Sequence, residues 1–269
     1  MGRGRWQIEH LVMRPFNWRW FEVLAPTARF RAVKKLVPWY RPDGLNVYFL
    51  PINEDIELGE DTPMPLQVLY ELIDRASHRV IVDRCLCRAT LDCKKYPPEI
   101  GCLMMGRAAL EISTDIRREV SPEEAKEHVR RAAEAGLVPF CGKARVDNFV
   151  FGIRNKRQLL SVCFCCECCC ISRFARHIPP AGRAENLNVL EGIRVEVGDK
   201  CNGCGLCADS CFLRVIQVVD GRAVIGEGCV ACGRCAAACR RKAISLSLSN
   251  PRLVEQVCDR LEELIDYRS

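Results

Sequence analysis

Two runs of four cysteines constrain this chain more than any other feature. Cys201, Cys204, Cys207 and Cys211 are separated by two, two and three residues, and Cys229, Cys232, Cys235 and Cys239 repeat that spacing at an offset of 28 residues. A run this tight bends a short loop so that three thiolates converge on one metal centre, while the fourth, at the start of a helix, reaches the neighbouring one. The spacing therefore predicts one [4Fe–4S] cluster held by Cys201, Cys204, Cys207 and Cys239 and a second held by Cys229, Cys232, Cys235 and Cys211. The competing reading is a pair of zinc sites, but zinc usually takes separated Cys-x2-Cys pairs rather than runs of four. Gly203, Gly205 and Gly233 suit loops that bring backbone N–H groups close to sulfur. Between the runs, residues 215–219 and 222–225 flank Asp220-Gly221, a favoured two-residue hairpin turn.

Residues 193–248, which contain both runs, closely resemble the bacterial dicluster ferredoxins. The resemblance implies a ferredoxin-like 2[4Fe–4S] domain that carries electrons. It departs where the family usually has proline after each fourth cysteine: here Phe212 and Arg240 stand there. That departure bears on local helix geometry and reduction potential, since all eight thiols are present. Arg240, Arg241 and Lys242 flank Cys239 and read either as a solvated face or as a patch that favours the reduced cluster and attracts an acidic partner.

A second cysteine set precedes this domain. Cys85, Cys87, Cys93 and Cys102 are followed by the run Cys163, Cys165, Cys166, Cys168, Cys169 and Cys170. Adjacent cysteines in a strand point to opposite faces, so this run cannot converge on one ligand unless the backbone turns sharply. Ten thiols would serve two [4Fe–4S] clusters with two left over, or one larger non-cubane assembly. The segments Cys85-Leu86-Cys87-Arg88, Cys93-Lys94-Lys95-Tyr96-Pro97 and Gly101-Cys102-Leu103-Met104-Met105-Gly106, with the Cys163 to Cys170 run, resemble a group of multicluster 4Fe–4S binding proteins in anaerobes. That resemblance spans residues 46–248, implies one or two further Fe–S centres, and names no reaction. Cys141 and Cys258 have no cysteine neighbours and are expected to be ordinary buried apolar residues. No histidine has ligand spacing, although His177 follows the run closely.

Twenty cysteines without a secretory leader argue for a reducing cytoplasm, where clustered thiols hold metal rather than disulfides. The net charge of +6 is uneven: residues 1–41 carry nine Arg/Lys against two Glu, leaving −1 for residues 42–269. A nucleic-acid partner is therefore not expected. All four tryptophans lie in the same basic arm, split by Pro26 into two short helical candidates. In the second, Phe30, Val33, Leu36 and Val37 share a face opposite Arg31, Lys34 and Lys35, a pattern suited to a membrane surface, a partner, or the arm's own domain. No stretch is long and apolar enough to span a membrane, so the location expected is cytoplasmic, with peripheral membrane contact through residues 1–41.

Between the arm and the second cysteine set, residues 65–77 read as a helix and 79–84 as a strand. Ser121-Pro122-Glu123-Glu124 is a capping box opening a helix that ends at Gly136, and strands are expected near 148–153 and 158–162. Both N-terminal cysteine groups thus begin where a strand ends. If those strands were neighbours in a parallel sheet, the groups would meet at its edge.

The organisation expected is α+β. A basic aromatic arm (1–45) precedes an α/β domain with Cys-rich loops at strand ends (46–178), a linker (179–192), the ferredoxin-like 2[4Fe–4S] domain (193–248) and a C-terminal helix (249–269). No dinucleotide-binding or phosphate-binding loop and no hydrolytic constellation is present, so electrons must come from and go to redox partner proteins. The sequence supports an electron-transfer protein, a reductase whose N-terminal centre is the active site, or a thiol-based sensor, and leaves the oligomeric state open.

Overall fold

The computed structural model describes residues 2–13, 27, 43–52, 55–178 and 180–269. The chain is a mixed α/β protein with mixed sheets. Its strands in chain order are β1 (Leu45–Phe49), β2 (Glu57–Leu58), β3 (Arg79–Val82), β4 (Leu103–Met105), β5 (Arg117–Glu119), β6 (Val138–Ala144), β7 (Leu160–Cys165), β8 (Leu187–Asn188), β9 (Ile193–Val197), β10 (Ile216–Val219), β11 (Arg222–Ile225) and β12 (Ile244–Leu248). Seven of them form one sheet in the order β5-β3-β4-β7-β6-β1-β8, antiparallel throughout except for the parallel β1–β8 pair.

This order corrects the parallel-sheet expectation and explains why the cysteine groups still meet. β3 and β7 run in the same direction but are not neighbours, because β4 lies between them, antiparallel to both. The start of β4 therefore sits at the edge where β3 and β7 end. Cys102, immediately before β4, reaches that edge together with the segment that follows β3 and the run that ends β7.

The local elements follow their residues. Pro65 opens the Pro65–Arg75 helix at its first turn, where a missing N–H costs nothing, and Val68, Leu69, Leu72 and Ile73 form its buried stripe. In the Pro122–Glu134 helix, Ser121 Oγ accepts from Glu124 N (3.2 Å) and Glu124 Oε2 accepts from Ser121 N (2.9 Å), closing the capping box. Of residues 148–153, expected as a strand, 148–151 belong instead to a helix, Arg145–Phe151, ended by Gly152 in the left-handed region (φ 71°). A short apolar run does not by itself distinguish a buried helix from a strand.

The C-terminal part is not a separate bead. Residues expected as a linker carry the Pro180–Ala184 helix and β8. β2 pairs in parallel with β12, which pairs antiparallel with β9. The Leu253–Leu264 helix buries Leu253, Val257, Cys258 and Leu261 in the same core as the large sheet. Phe212, standing where proline is usual, packs its ring 4.9 Å from that of Phe49 on β1, so the departure ties the cysteine repeats to the sheet. The β10–β11 hairpin turns at Asp220 and Gly221, both at positive φ (47° and 73°), as the Asp-Gly pair requires.

The beginning of the arm docks on its own domain. Residues 5–13 are helical, Gly2 N and Arg3 N donate to Glu111 O and Phe151 O, and Arg5 pairs with Asp83. Ile8, Val12 and Met13 are buried in a second core beneath β3 and β4, with Val80, Val82, Met104 and Ile112. The second helical candidate of the arm, with Phe30, Val33, Leu36 and Val37, lies outside the described residues, as do Trp18, Trp20 and Trp39. Ile8→Ala should destabilise the protein by about 2–5 kcal/mol, the usual range for emptying a fully buried aliphatic site, and calorimetry of the full chain checks it. An unchanged melting temperature would mean that the segment does not dock in solution.

Candidate metal centre

The ten N-terminal thiols divide into two groups. Cys93, Cys166, Cys168 and Cys169 place their sulfurs within 4.8 Å of one another. Cys85, Cys87, Cys102, Cys163, Cys165 and Cys170 form the other group. In it, the Cys165 and Cys170 sulfurs are 2.9 Å apart and those of Cys102 and Cys163 are 3.3 Å apart, while Cys87 lies near enough to Cys85 and Cys170 for its thiol to interact with both. The backbone does the sorting. After Cys165 the chain leaves β7 and turns through residues 167–169, where Cys169 N donates to Cys166 Sγ (3.3 Å). That turn gathers Cys166, Cys168 and Cys169 beside Cys93 and leaves Cys165 and Cys170 facing the other group. All twenty cysteines are free, and no pair approaches the roughly 2.0 Å of a disulfide.

Thiols this crowded cannot all ionise in the absence of cations, because each thiolate opposes the next. Their acidities are driven apart accordingly. A hydrogen bond from Cys87 brings Cys85 down to about 7, and hydrogen bonds from Cys165 and Cys87 hold Cys170 well below the ordinary thiol value. Cys87, Cys163 and Cys165 are pushed well above it by their hydrogen-bonded partners and by burial, and burial raises Cys166 to about 12.

Arg88 is the most informative residue around these groups, although the sequence did not single it out for a role. It is 1% exposed. Its guanidinium donates to three carbonyls: Pro97 O (2.9 Å), Phe164 O (2.6 Å) and Ile100 O. No carboxylate pairs with it among the described residues. Burial opposes its charge, but the Cys85, Cys102, Cys166 and Cys170 thiols around it hold the proton on. A buried cation without an acidic partner is costly unless its surroundings become anionic. Thiolates gathered on metal supply that charge, so the all-sulfur donor set and Arg88 together fit an anionic metal–thiolate centre.

In the C-terminal repeats, Cys201, Cys204, Cys207 and Cys239 line one small cavity, with Arg241 at its wall. Ala223 N donates to Cys201 Sγ (3.3 Å) and Ala243 N to Cys239 Sγ (3.2 Å). The other four are also neighbours: burial raises Cys232 to about 11 and Cys235 to about 12, and Cys211 and Cys229 push both higher. The duplication is preserved in the backbone. Gly203 and its counterpart Ala231 have φ of 68° and 48°, and Gly205 and Gly233 have 81° and 77°. At Gly203 a Cβ would stand 2.6 Å from Gly221 O, so glycine is required there. Arg240, Arg241 and Lys242 are exposed. Cys141 and Cys258 are fully buried in the core.

Comparison with known protein families, curated proteins and solved structures finds no match. What the chain does show is a cysteine-rich arrangement able to hold metal centres such as iron–sulfur clusters.

The two cysteine sets abut through Arg234, which lies between Gly233 and Cys235 and is 8% exposed. It donates to Glu167 Oε2 (2.6 Å) and to Cys165 O (2.7 Å), both in the N-terminal run. Tyr96 Oη donates to the same Glu167 oxygen (2.9 Å), and Lys95 pairs with the other. Arg234 and Glu167 were the signals to notice: one is the only cation inside a Cys-x2-Cys stretch of the repeats, the other the only anion within the N-terminal run.

Proposed function

We propose that the chain is an iron–sulfur electron-transfer protein, relaying low-potential electrons through two ferredoxin-type [4Fe–4S] clusters to or from N-terminal Fe–S centres. The observation that carries this reading is the Arg234 junction, which seats one cysteine repeat directly on the N-terminal cysteine run. Cys201, Cys204, Cys207 and Cys239 would hold one cluster, and Cys211, Cys229, Cys232 and Cys235 the other. The clusters supply one-electron chemistry. The chain supplies thiolates, N–H groups aimed at sulfur, and buried cations that favour the reduced state. An exposed Arg240–Lys242 face suits an acidic redox partner.

The test is metal and sulfide analysis of the anaerobically purified full chain, followed by EPR after reduction. Iron with matching sulfide supports the reading, and zinc without sulfide overturns it. That outcome is a live contrast at Cys93, Cys166, Cys168 and Cys169, because four sulfurs within 4.8 Å also approach the tetrahedron of a single ion, whose edges are about 3.8 Å for zinc. Cys204 is exposed, so Cys204→Ser should leave the fold intact and damage one cubane, with loss of about four iron atoms or conversion to a three-iron form. Loss of all iron in Cys204→Ser would contradict independent cysteine sets.

A reductase is the second reading. It is favoured by a largely enclosed apolar cavity against Cys163, Cys165 and Cys170, walled by Leu45, Phe140 and Phe174. EPR signals of the N-terminal centre that shift with small added molecules would favour it over a closed relay.

A further inference from the structure

We propose that Cys85, Cys87, Cys102, Cys163, Cys165 and Cys170, together with the carboxylate of Asp147, form a metal centre of their own, separate from the four-thiol site and larger than one cubane, with Asp147 as an oxygen ligand to one of its irons. The proposal rests on the iron–sulfur reading above and deepens it.

Three observations carry it. The first is the division of the thiols, because the turn at 167–169 separates four sulfurs within mutual reach from six others, the pair Cys102–Cys163 and the row Cys85, Cys87, Cys170 and Cys165, which meet at one cavity lined by Cys163, Cys165 and Cys170. Six thiolates exceed the four that complete a cubane. The second is Asp147, on the Arg145–Phe151 helix, which borders the same enclosed cavity as Cys163, Cys165 and Cys170. Its Oδ2 is buried and meets no donor at hydrogen-bonding geometry, although the hydroxyl of Ser161, itself unpaired, stands close enough to stabilise the carboxylate. An orphaned carboxylate oxygen is expensive unless something positive meets it, and iron does so by coordination. The third is charge. The charge of Arg88 interacts with Cys85, Cys102 and Cys170 of this group as well as with Cys166 of the other, so the larger anion has the buried cation near it. Carboxylate among thiolates would make one iron chemically different from the rest, at the apolar cavity where a small ligand could approach it.

The experiment uses the full-length chain, grown on 57Fe and purified anaerobically, with Mössbauer spectra and iron counts for Cys168→Ser, Cys102→Ser and Asp147→Ala. Cys168→Ser should remove about four irons of cubane type and spare the spectrum of the larger centre. Cys102→Ser should do the converse. Asp147→Ala should keep the iron count and change the isomer shift and quadrupole splitting of one iron site, with Asp147→Glu restoring oxygen coordination. If Cys168→Ser and Cys102→Ser remove the same spectral component, the separate centre is overturned. If Asp147→Ala leaves every site's parameters as in the parent, the oxygen ligand is overturned. Zinc without sulfide in the parent chain would remove the iron–sulfur reading itself, an outcome distinct from both.

Discussion

Replacing Arg88 with methionine is expected to strip the N-terminal metal from the protein while the eight cysteines of the C-terminal repeats keep theirs. The side chain is 1% exposed and donates to Pro97 O, Phe164 O and Ile100 O, carbonyls from the two segments that carry the thiols. Each buried acceptor left without a donor costs about 1–3 kcal/mol, so three of them reach several kcal/mol before charge is considered. Charge adds to this. With thiolates bound to metal and the cation gone, the centre is a buried anion without a counter-charge, and breaking such a pair from one side costs about 3–5 kcal/mol. Arg88→Lys should be intermediate, since an ammonium restores the charge but not the planar fork that reaches three carbonyls at once. Iron per chain, with separate integration of the EPR signals, checks both variants. Full N-terminal metal in Arg88→Met would mean that the cation is packing rather than counter-charge.

The thiols of this centre were legible in the sequence, and Arg88 was not. Cysteine spacing is a local property, and so are the Asp220-Gly221 hairpin, the capping box at Ser121 and the apolar stripe of residues 65–75. Each is written within a few residues of where it acts. The neighbourhood of Arg88 depends on which strands pair, and here β4 enters between β3 and β7, which no local pattern announces. The same holds for the helix over Arg145–Phe151. Its apolar residues fit a strand equally well, and only packing against the N-terminal helical segment and the sheet decides. Phe212 shows the reverse case. Its departure from proline was visible in the sequence, but the contact with Phe49 that gives it a purpose depends on β1, more than 160 residues earlier.

Arg234→Ala is expected to leave every thiol and all iron in place, yet to lower the reduction potential of the centres that meet at it and to slow electron transfer between them. The guanidinium is held by Glu167 and Cys165 O and lies beside Cys232 and Cys165, so it is near sulfur on both sides of the junction. At an effective dielectric constant near 20, a unit charge within about 8 Å of a cluster contributes about 2 kcal/mol, and partial screening leaves about 1–2 kcal/mol. Adding an electron to an already anionic cluster loses that attraction when the cation is removed. The potential should therefore fall by about 40–90 mV, since a one-electron couple moves 59 mV for each tenfold change. Glu167 keeps Lys95 and Tyr96 as partners, so it is not stranded and the fold should survive. Glu167→Gln separates mechanics from charge: it weakens the same junction but removes an anion, and the potential should rise instead of fall. Potentiometric EPR titration of both variants reads the sign directly. Two shifts of the same sign would show that the junction acts through structure alone, and no shift in either would place Arg234 too far from any cluster to matter to its electrons.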